Sequence, residues 1–402
     1  MSEGNPVLAA LGRPIRLGIL GGAPPSMIGP AHRMAAALDG RFTLVAGMMS
    51  SKPERSLREG VAIGFAEERC YGSLDELLVR EKARVDGVEA LAIITPNDSH
   101  TAYCKAAFAA GLDVMVEKPL CNDLGEAREL AVVARQSGVA VALTHTYSGY
   151  PMLREMRARI LAGQIGAVRL IQIDYLAGGN ATLVEATPEG AARWRLNPEI
   201  SGPSLILGDI GTHAHHLVGF VTGEPMASVS AEVGTLVPSR KVHDVAQIRF
   251  RQAGGARGRI ELSNAAAGAS NLFTIRIFGE TGYLAWSHGA PNELQLGRLN
   301  GDIIVTGAGR PDLSPAARDA TRLSRPGHPE GLIEAIANLY NGFADLILAR
   351  RGLAPVTDMA RLTPSIEDGV AGLAFVMACL ESSAAGGRSE ERRVGKECRS
   401  RW

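Results

Sequence analysis

The chain has 402 residues with 42 basic and 42 acidic side chains, so its formal net charge is +0. Balanced charge creates no global field that favours nucleic acid or an anionic membrane surface, and a small-molecule partner is the better expectation. The length exceeds the size at which a single hydrophobic core usually stops growing, about 300 residues, and predicts two domains.

The start of the chain and the cysteines bear on the compartment. MSEGNPVLAA lacks the basic and apolar regions of a secretory signal, and we find no apolar run of membrane-spanning length. The five cysteines are odd in number and include no CxxC pair, which argues against a disulfide framework and a thiolate metal site. We expect a cytoplasmic protein with no membrane or nucleic-acid partner.

The first part of the chain alternates short β-branched runs with helical stretches. The runs are IRLGILGG, FTLVAGMMS, VEALAIIT, LDVMVE and VAVALTH, and one helix begins with a capping box at Ser73 and Glu76. This alternation predicts parallel strands joined by crossover helices. We expect six strands in a doubly wound Rossmann domain for NAD or NADP at residues 14–146, after a flexible N-terminus at 1–13.

The pattern changes after residue 146. Helices are predicted around 153–162 and 209–221, and strand-like segments then follow one another from MASVSAEVGTLV to GYLAWS without helices between them. This series predicts an open, largely antiparallel or mixed sheet in an α+β domain at 147–388. Late helices at 329–350 and 366–382 could pack on either domain. The fold class is therefore α/β with a second, α+β domain.

The last residues, 389–402, differ in composition from the rest. SEERRVGKECRSRW concentrates basic residues without an apolar pattern, which indicates a non-native or disordered tail. A basic arm for nucleic acid is the alternative.

Glycines occupy the turn between the first strand and the first helix, in GGAPPSMIG at residues 21–29. They allow a tight turn and close approach to a pyrophosphate at a helix N-terminus. The loop departs from GxGxxG, since Ala23 replaces a glycine and two prolines lengthen and stiffen it, so a purely structural turn is the alternative. The candidate cofactor contacts are Gly21, Gly22, Ser26, Met27 and Ile28.

The second strand ends without the acidic residue that usually holds the ribose 2′-hydroxyl of NAD. Ser50, Ser51, Lys52 and Arg55 stand there instead and could hold a 2′-phosphate through charge-assisted hydrogen bonds. The alternative is a solvated helix start. The sequence leaves the cofactor as NAD or NADP.

Polar groups also follow the next strands. In an open parallel sheet, ligands bind beyond the carboxyl ends of the strands, so we expect these groups to line one crevice. The cofactor candidates among them are Thr95, Pro96, Asn97, His100, Glu117 and Lys118, and Tyr147 and Tyr150 follow the last strand.

These motifs together resemble the glucose-fructose oxidoreductase, inositol dehydrogenase and MocA family. The resemblance rests on the glycine loop, TPNDSH, EKP and GDIGTHA, with WR before the last motif and HPEG after it. It implies that Lys118, Asp209 and His213 are catalytic, that NAD or NADP binds the first domain, and that a sugar, inositol or related polyol binds the second.

The residue types fit that chemistry. Oxidising a secondary alcohol removes a proton from oxygen as hydride leaves carbon, and a histidine with an unperturbed pKa near 6.5 suits the proton transfer. Lys118 can stabilise the developing alkoxide, and helical spacing puts Asp209 and His213 on one face. Spacing does not decide whether His213 or Lys118 is the final base.

Each residue also has a structural interpretation. Asp209 after Gly208 could be a helix N-cap, Lys118 a surface lysine, and His213 a packed helix residue. Asp209, His213 and His216 could instead bind zinc as a metal-dependent isomerase or hydrolase, and a cofactor-sensing protein without turnover is a further alternative. We expect no metal.

Substrate contacts are expected from aromatic and guanidinium side chains. The candidates are Tyr147, Tyr150, Trp194, Arg195 and His216, with core packing as the alternative for Tyr147 and Trp194. The open sheet of the second domain is a natural oligomer interface, which predicts a homodimer or homotetramer.

Overall fold

The computed structural model describes residues 4–191 and 193–387. The predicted tail at 389–402 lies outside these residues. The chain divides into two compact units. The first unit contains Met1–Cys121, Gly125–Gly149 and Leu332–Ile366, and the second contains Asn122–Leu124, Tyr150–Gly331 and Glu367–Trp402.

The helices and strands of the described residues are numbered here in chain order. The helices are α1 (Pro6–Leu11), α2 (Ile28–Leu38), α3 (Pro53–Ala62), α4 (Leu74–Lys82), α5 (His100–Ala109), α6 (Leu124–Ser137), α7 (Pro151–Leu161), α8 (Pro188–Ala191), α9 (Pro198–Ser201), α10 (Thr212–Thr222), α11 (Pro315–Asp319), α12 (Leu332–Arg350), α13 (Asp358–Arg361) and α14 (Ile366–Ala384). The strands are β1 (Ile15–Gly21), β2 (Phe42–Met48), β3 (Ala90–Ile94), β4 (Asp113–Val116), β5 (Val141–Leu143), β6 (Leu170–Leu176), β7 (Met226–Gly234), β8 (Val245–Gln252), β9 (Arg257–Ser263), β10 (Leu272–Phe278), β11 (Gly282–Ser287), β12 (Glu293–Arg298) and β13 (Ile303–Gly307).

The first unit is built on a parallel sheet with the order β2-β1-β3-β4-β5. Its strands are almost wholly buried apolar runs, as expected when helices cover both faces. The prediction of six strands here was wrong, because the chain after β5 forms a 3₁₀ turn at Thr146–Gly149 and β6 joins the other sheet. Within the described residues this sheet has five strands.

The strand order places a switch point between β1 and β3. The chain leaves β1 towards β2 on one side and continues through β3 on the other, which opens a crevice at the carboxyl ends of these strands. The long helix α12 packs on this sheet, where Phe343 stacks on Phe42 with ring centroids 5.7 Å apart. This late helix belongs to the first unit.

The N-terminal segment differs from its prediction. Residues 1–13 were expected to be flexible, but α1 is a capped helix in which the Asn5 side chain accepts hydrogen bonds from Val7 N and Leu8 N. Val7 is fully buried in the core of the first unit. The local sequence explains this helix, because an asparagine at the N-cap, a proline in the first turn and Gly12 after the end specify a short helix.

The second unit is built on a sheet with the order β13-β12-β11-β10-β6-β9-β8-β7. Neighbouring strands pair antiparallel except β6 and β9, which pair parallel. Alternation of buried and exposed residues along β8 and along β9 up to Leu262 shows that one face packs on the unit's core and the other is exposed. The predicted fold class is confirmed.

Within residues 4–191 and 193–387, two segments are apolar enough to span a membrane by length and composition alone, which corrects the sequence expectation that none would be. They are Leu332–Arg350 and Asp358–Ala384. Of their most apolar windows, 72% and 56% are buried inside the structure. Their apolar side chains therefore serve largely as core, as the burial of α12 in the first unit shows.

Candidate active site

The glycine loop after β1 is shaped by close backbone contacts. Gly21 and Gly22 have φ values of 84° and 76°, in the left-handed region that favours glycine. A Cβ on Gly22 would lie 2.5 Å from Ile94 Cδ1, and one on Gly29 would lie 2.1 Å from the carbonyl oxygen of Gly22. The strand end and the first turn of α2 thus approach each other more closely than side chains permit.

The N-terminus of α2 fits a dinucleotide pyrophosphate. Its N-cap residue Met27 makes no side-chain capping bond and is 72% exposed, so the helix dipole and the N–H groups of the first turn other than that of Gly29 can face an anion. Ser26 Oγ accepts a hydrogen bond from Gly29 N at 3.1 Å, which fixes the turn, and Ile28 is the first helical residue. These positions were candidates from the sequence despite the irregular loop, and their contact with a cofactor stays a prediction.

The end of β2 carries polar groups near this loop. Lys52 is the N-cap of α3 and is exposed, as is Ser51. Ser50 Oγ accepts a hydrogen bond from Lys52 N, and the Arg55 guanidinium donates to the carbonyl oxygen of Pro24. Arg55 therefore lies against the glycine loop and connects the two segments that were predicted to contact the cofactor.

The segment after β3 is fixed by hydrogen bonds. The Thr95 and Ser99 hydroxyls lie 2.6 Å apart, and Ser99 donates to the carbonyl oxygen of Pro96. Asn97 begins a 3₁₀ turn and is buried. A Cβ on Gly21 would lie 2.9 Å from the carbonyl oxygen of Ile94, so this segment is adjacent to the glycine loop.

His100 holds two loops together. It is completely buried, and its ring nitrogens lie 3.0 Å from the carbonyl oxygen of Pro119 and 2.9 Å from that of Thr95. Burial lowers the pKa of His100, although the two carbonyl oxygens oppose this. His100 therefore fixes the loop after Lys118 against the loop after β3, and its contact with a cofactor stays a prediction.

Glu117 lies in a buried hydrogen-bonded cluster. Its Oε1 accepts a hydrogen bond from His32 Nε2 at 2.9 Å and another from the Thr144 hydroxyl. His32 Nδ1 lies 2.8 Å from the Tyr340 hydroxyl. Burial alone would raise the pKa of the Glu117 carboxyl, but the hydrogen bond from His32, the positive charge of Lys118 and the hydrogen bond from Thr144 lower it to about 2.

Lys118 follows Glu117 at the carboxyl end of β4 and is half-buried. The Glu117 carboxylate is held ionised beside it, so the lysine has a fixed negative neighbour. Of the residues predicted at the strand ends, the first unit brings together the glycine loop, the segment after β3 and the Glu117–Lys118 segment. A parallel sheet produces this convergence because carboxyl strand ends share one edge.

In the second unit, Asp209 lies in a π-helical turn. This turn, Leu207–Gly211, runs directly into α10, and Thr212 N bonds to the carbonyl oxygen of Leu207. Asp209 is therefore inside the helix, and its interpretation as an N-cap was wrong. His213 follows in the first turn of α10 and is 7% exposed. Single π-turns inside α-helices occur frequently at functional sites.

The charge of Asp209 affects the pKa of Tyr175, which lies on β6. Burial and then the negative charge of Asp209 raise the pKa of Tyr175 to about 12. The tyrosine ring also packs edge-on against Phe273, with centroids 6.0 Å apart. Tyr175 therefore lies close enough to Asp209 for their charges to interact, and sequence reasoning missed it because β6 and the Asp209 helix are distant in the chain.

Several predicted substrate contacts are packed inside their units. Tyr147 lies in the buried turn after β5, and Tyr150 is 1% exposed with its ring 5.3 Å from that of Trp286. His216 stacks on Phe220, and burial lowers its pKa while Asp368 opposes this. These surroundings agree with the packing alternative for Tyr147 and also favour core packing for Tyr150 and His216, which were predicted to contact the substrate.

Trp194 and Arg195 lie on a different segment of the second unit. They form a 3₁₀ turn in which the exposed Arg195 guanidinium stacks over the half-buried indole, 4.5 Å from its centroid. The next residue, Leu196, is buried with Leu205 and Val242 in a small cluster. Leu205 lies just before the π-turn, so this cluster packs the Trp194 segment beside the start of the helix that carries Asp209.

The alternative interpretation, a metal-dependent isomerase or hydrolase, requires a cluster of metal-ligating side chains. Among residues 4–191 and 193–387, no group of three or more histidine, cysteine, aspartate or glutamate side chains is arranged to hold a metal ion. The spacing of Asp209, His213 and His216 predicted one stripe, but the π-turn changes the helix between the first residue and the other two.

The family follows from matches over both units. Residues 15–145 match the oxidoreductase family with an NAD-binding Rossmann fold, and residues 153–285 match the GFO/IDH/MocA C-terminal domain. The uncharacterized oxidoreductase YfiI of Bacillus subtilis is 33% identical over 384 residues, which cover 94% of this chain and 96% of that protein. The chain belongs to the Gfo/Idh/MocA oxidoreductase family.

Solved structures agree with this assignment. An inositol dehydrogenase homolog from Azotobacter vinelandii in complex with NAD+ is 35% identical, with a TM-score of 0.89 and coverage of 94% of this chain and 98% of that chain. Its complex with NADH and myo-inositol gives 34% identity, a TM-score of 0.86 and coverage of 95% and 99%. Levoglucosan dehydrogenase of Pseudarthrobacter phenanthrenivorans is 26% identical over 319 residues, 73% of this chain and 77% of that protein.

Membership confirms several sequence predictions for this Gfo/Idh/MocA protein. The first sheet belongs to an NAD-binding Rossmann domain, and the protein is an oxidoreductase of the dehydrogenase or reductase type. The glycine cradle, formed by Gly21, Gly22 and Gly29, and the exposed start of α2 at Met27 fit the dinucleotide. The roles of individual site residues stay predictions.

Proposed function

We propose that the protein transfers hydride between a nicotinamide cofactor and a secondary hydroxyl or ketone of a sugar, glycoside or cyclic polyol. The observation that carries this proposal is Lys118 at the carboxyl edge of a Rossmann sheet, beside a dinucleotide-type glycine loop, in a chain 34% identical to a structure with NADH and myo-inositol. The cofactor, when bound, accepts or donates the hydride.

The protein's own residues would manage the proton and the charge on the substrate oxygen. Lys118 would donate a hydrogen bond to that oxygen and stabilise the alkoxide. His213 would transfer the proton near neutral pH, and Asp209 would orient the imidazole or the lysine. We leave open whether His213 or Lys118 is the final base. Trp194 and Arg195 would contact the substrate.

An activity panel tests this proposal. Purified protein with NAD or NADP should reduce the cofactor in the presence of one or more cyclic polyols or sugar glycosides. Lys118→Ala should lower kcat by about 10²- to 10⁴-fold. Lys105→Ala is the control, since Lys105 pairs with Glu129 on the helical surface of the same unit. Cofactor binding without turnover of any panel member would favour a cofactor-sensing protein instead.

The cofactor preference is a separate part of the proposal. We infer that NADP is accepted alongside NAD, because Lys52 and Arg55 supply positive charge where an acidic residue would reject a 2′-phosphate. Arg55→Ala should weaken NADP binding about ten- to hundredfold and leave NAD binding nearly unchanged. Calorimetric titration with both cofactors measures this. If Arg55→Ala weakens the binding of NAD and NADP equally, Arg55 acts only by holding the glycine loop through Pro24 and not by binding the 2′-phosphate.

The exposed face of the second sheet supports a homo-oligomer. We propose a homodimer or homotetramer in which this face is buried between copies. Basic and acidic residues on this face lie at different positions along the strands, so they form two bands that run across the sheet. Exposed arginines form a basic band that comprises Arg249, Arg251, Arg257, Arg259 and Arg276, and the neighbouring acidic band comprises Asp174, Glu232, Glu261 and Glu293.

The register shows that the two bands are neighbouring rows, joined by ion pairs from Arg259 and Arg276 to Asp174. Arg249 pairs with Arg259 across β8 and β9, while two residues along the same strands Gln247 pairs with Glu261. Two copies stacked face to face with opposite strand directions would place each basic band over an acidic band, as an isologous twofold interface requires.

We also propose a cytoplasmic location and small-molecule partners only, which cell fractionation would test.

A further inference from the structure

His32 and Tyr340 have no assigned role in the proposed reaction, yet they contact the acid next to Lys118. His32 lies on α2, whose N-terminus carries the glycine cradle, and is completely buried. Tyr340 lies on α12 and is 1% exposed. Their rings pack edge to face with centroids 5.7 Å apart.

The hydrogen bonds form one continuous chain. The Tyr340 hydroxyl lies 2.8 Å from His32 Nδ1, and His32 Nε2 donates to Glu117 Oε1 at 2.9 Å. The Thr144 hydroxyl, after β5, donates to the same carboxylate oxygen. Because a carboxylate only accepts, the Nε2 atom of His32 carries a proton, and Nδ1 accepts from Tyr340 when the ring is neutral.

This chain joins the cofactor helix to the lysine segment. Burying a carboxylate is costly unless it is paired and hydrogen-bonded, so Glu117 has one satisfactory position, which His32 and Thr144 define. Lys118 is the next residue, and its backbone is fixed by the same position. The loop is also held on its other side by His100, through the carbonyl oxygen of Pro119.

We propose that His32, supported by Tyr340, is a positioning residue that holds Glu117 and thereby sets the location of Lys118 relative to the glycine cradle. The inference rests on the proposed function, since it assumes that Lys118 acts in hydride transfer. Its physical basis is that a displacement of about 1 Å in a catalytic group can lower a rate a hundredfold. A purely structural role would instead lower stability and cofactor affinity without a specific effect on turnover.

Kinetics of matched variants test the proposal. His32→Leu removes the donor to Glu117 and should lower kcat about 10- to 100-fold while the Kd for NAD, measured by calorimetry, stays unchanged. His32→Gln supplies an amide donor and should restore most of kcat. Tyr340→Phe removes only the hydroxyl and should lower kcat less than His32→Leu. Wild-type kcat in His32→Leu, or equal losses of kcat and NAD affinity, would overturn the proposal.

Tyr71→Phe is the matched control for a buried tyrosine. The Tyr71 hydroxyl donates to Glu81 at 2.6 Å in the same unit, and Tyr71 is fully buried. This variant removes a buried tyrosine–glutamate bond away from Lys118 and should leave kcat unchanged. A loss of kcat equal to that of Tyr340→Phe would show general loosening of the unit and contradict the proposal.

A readout without turnover separates this proposal from the proposed function. The rate of reductive methylation of Lys118, followed by peptide mass spectrometry, should change severalfold in His32→Leu and return in His32→Gln. Lys52 in the same samples is the internal standard. If the wild type oxidises no polyol, the proposed function fails, while the labelling rates still decide whether His32 positions Lys118. Identical labelling rates in all variants would refute the positioning role.

Discussion

The Arg240 guanidinium donates to both carboxylate oxygens of Glu185, at 2.9 and 3.1 Å, and its side chain has no exposed surface. It also donates to Asp244 and to the carbonyl oxygens of Asn180 and Thr182. One buried arginine thus ties the loop before the Trp194 segment to the loop before β8. Val242, two residues on, packs against Leu196 and Leu205.

Removal of this arginine should destabilise the protein strongly. Arg240→Met leaves the carboxylate of Asp244, which has no exposed surface, without its buried partner, and losing one partner of a buried ion pair usually lowers the free energy of unfolding by about 3–5 kcal/mol. Urea denaturation followed by circular dichroism measures this change. The control is Arg169→Met, since Arg169 pairs with Glu280 at the surface and its loss should change the free energy by about 0–1 kcal/mol. Equal effects in the two variants would contradict the prediction.

The glycine cradle makes a prediction about cofactor binding. Gly22→Ala forces a Cβ to 2.9 Å from Gly29 Cα at a φ of 76°, so the turn must open and NAD affinity should fall about tenfold or more, at least ~1.4 kcal/mol. Gly111→Ala is a matched control, because Gly111 has a φ of 74° with no heavy atom within 4 Å of its added Cβ. It carries the same backbone strain, about 1–2 kcal/mol, without the clash. Calorimetric NAD titration of both variants distinguishes steric closure of the cradle from strain alone.

The sequence predicted the parts of the site that depend on local order. Alternation of strands and helices determines which residues follow each strand, and a parallel sheet gathers those residues at one edge. The sequence alone therefore predicts that Gly22, Thr95 and Lys118 lie near one another. The short helix α1 carried capping signals that were present in the sequence but not used, which is why Pro6–Leu11 was expected to be flexible.

The parts that were missed depend on tertiary contacts. His32 and Glu117 are 85 positions apart and His32 and Tyr340 are 308 apart, so no spacing rule relates them. The π-turn around Asp209 has no sequence signature in its residues, so the spacing of Asp209 and His213 could not reveal it. Tyr150 resembled a substrate contact by type and position in the chain, but its contacts with Trp286 and His288 were invisible in the sequence.

Glu89 predicts how stability depends on pH. It accepts hydrogen bonds from Arg13 at 2.6 Å, from Arg16 N at 3.1 Å and from Arg351 at 2.9 Å. Burial alone would raise the pKa of Glu89, but these hydrogen bonds lower it to about 2. A carboxyl whose pKa is lowered on folding stabilises the protein above its unfolded value, near 4.5, and loses that contribution as the pH falls towards 2.

The expected size is about 3 kcal/mol at neutral pH, since each pKa unit corresponds to ~1.4 kcal/mol. Glu89→Gln should therefore lower the free energy of unfolding at pH 7, and its difference from wild type should shrink as the pH drops below 4.5. Urea denaturation at several pH values measures both chains. Glu76→Gln is the control, because Glu76 pairs with Arg80 at the surface and should show a small difference. A Glu89→Gln deficit that is as large at pH 3 as at pH 7 would exclude the ionised carboxylate as its source.

The charge bands on the second sheet predict a salt-dependent oligomer. Light scattering after size-exclusion chromatography should show a dimer or tetramer whose dissociation constant rises with ionic strength, because screening at 1 M salt shortens the range of charge interactions to about 3 Å. Arg249→Glu places a negative charge opposite the partner copy's acidic band and should dissociate the oligomer at low salt. Arg310→Glu, which changes an exposed arginine paired with Asp312, should not.

A charge exchange makes this test specific to the proposed stacking. Adding Glu232→Arg to Arg249→Glu restores opposite charges between copies only when the basic band of one faces the acidic band of the other. The double variant should recover the oligomer that Arg249→Glu loses. Within one copy Glu232 lies on β7 and Arg249 on β8, where Glu232 pairs with Gln247 and Ser230 with Arg249, so recovery also requires that the sheet itself stays folded, which circular dichroism checks. A folded double variant that stays monomeric would reject this arrangement and leave the exposed face available for another interaction.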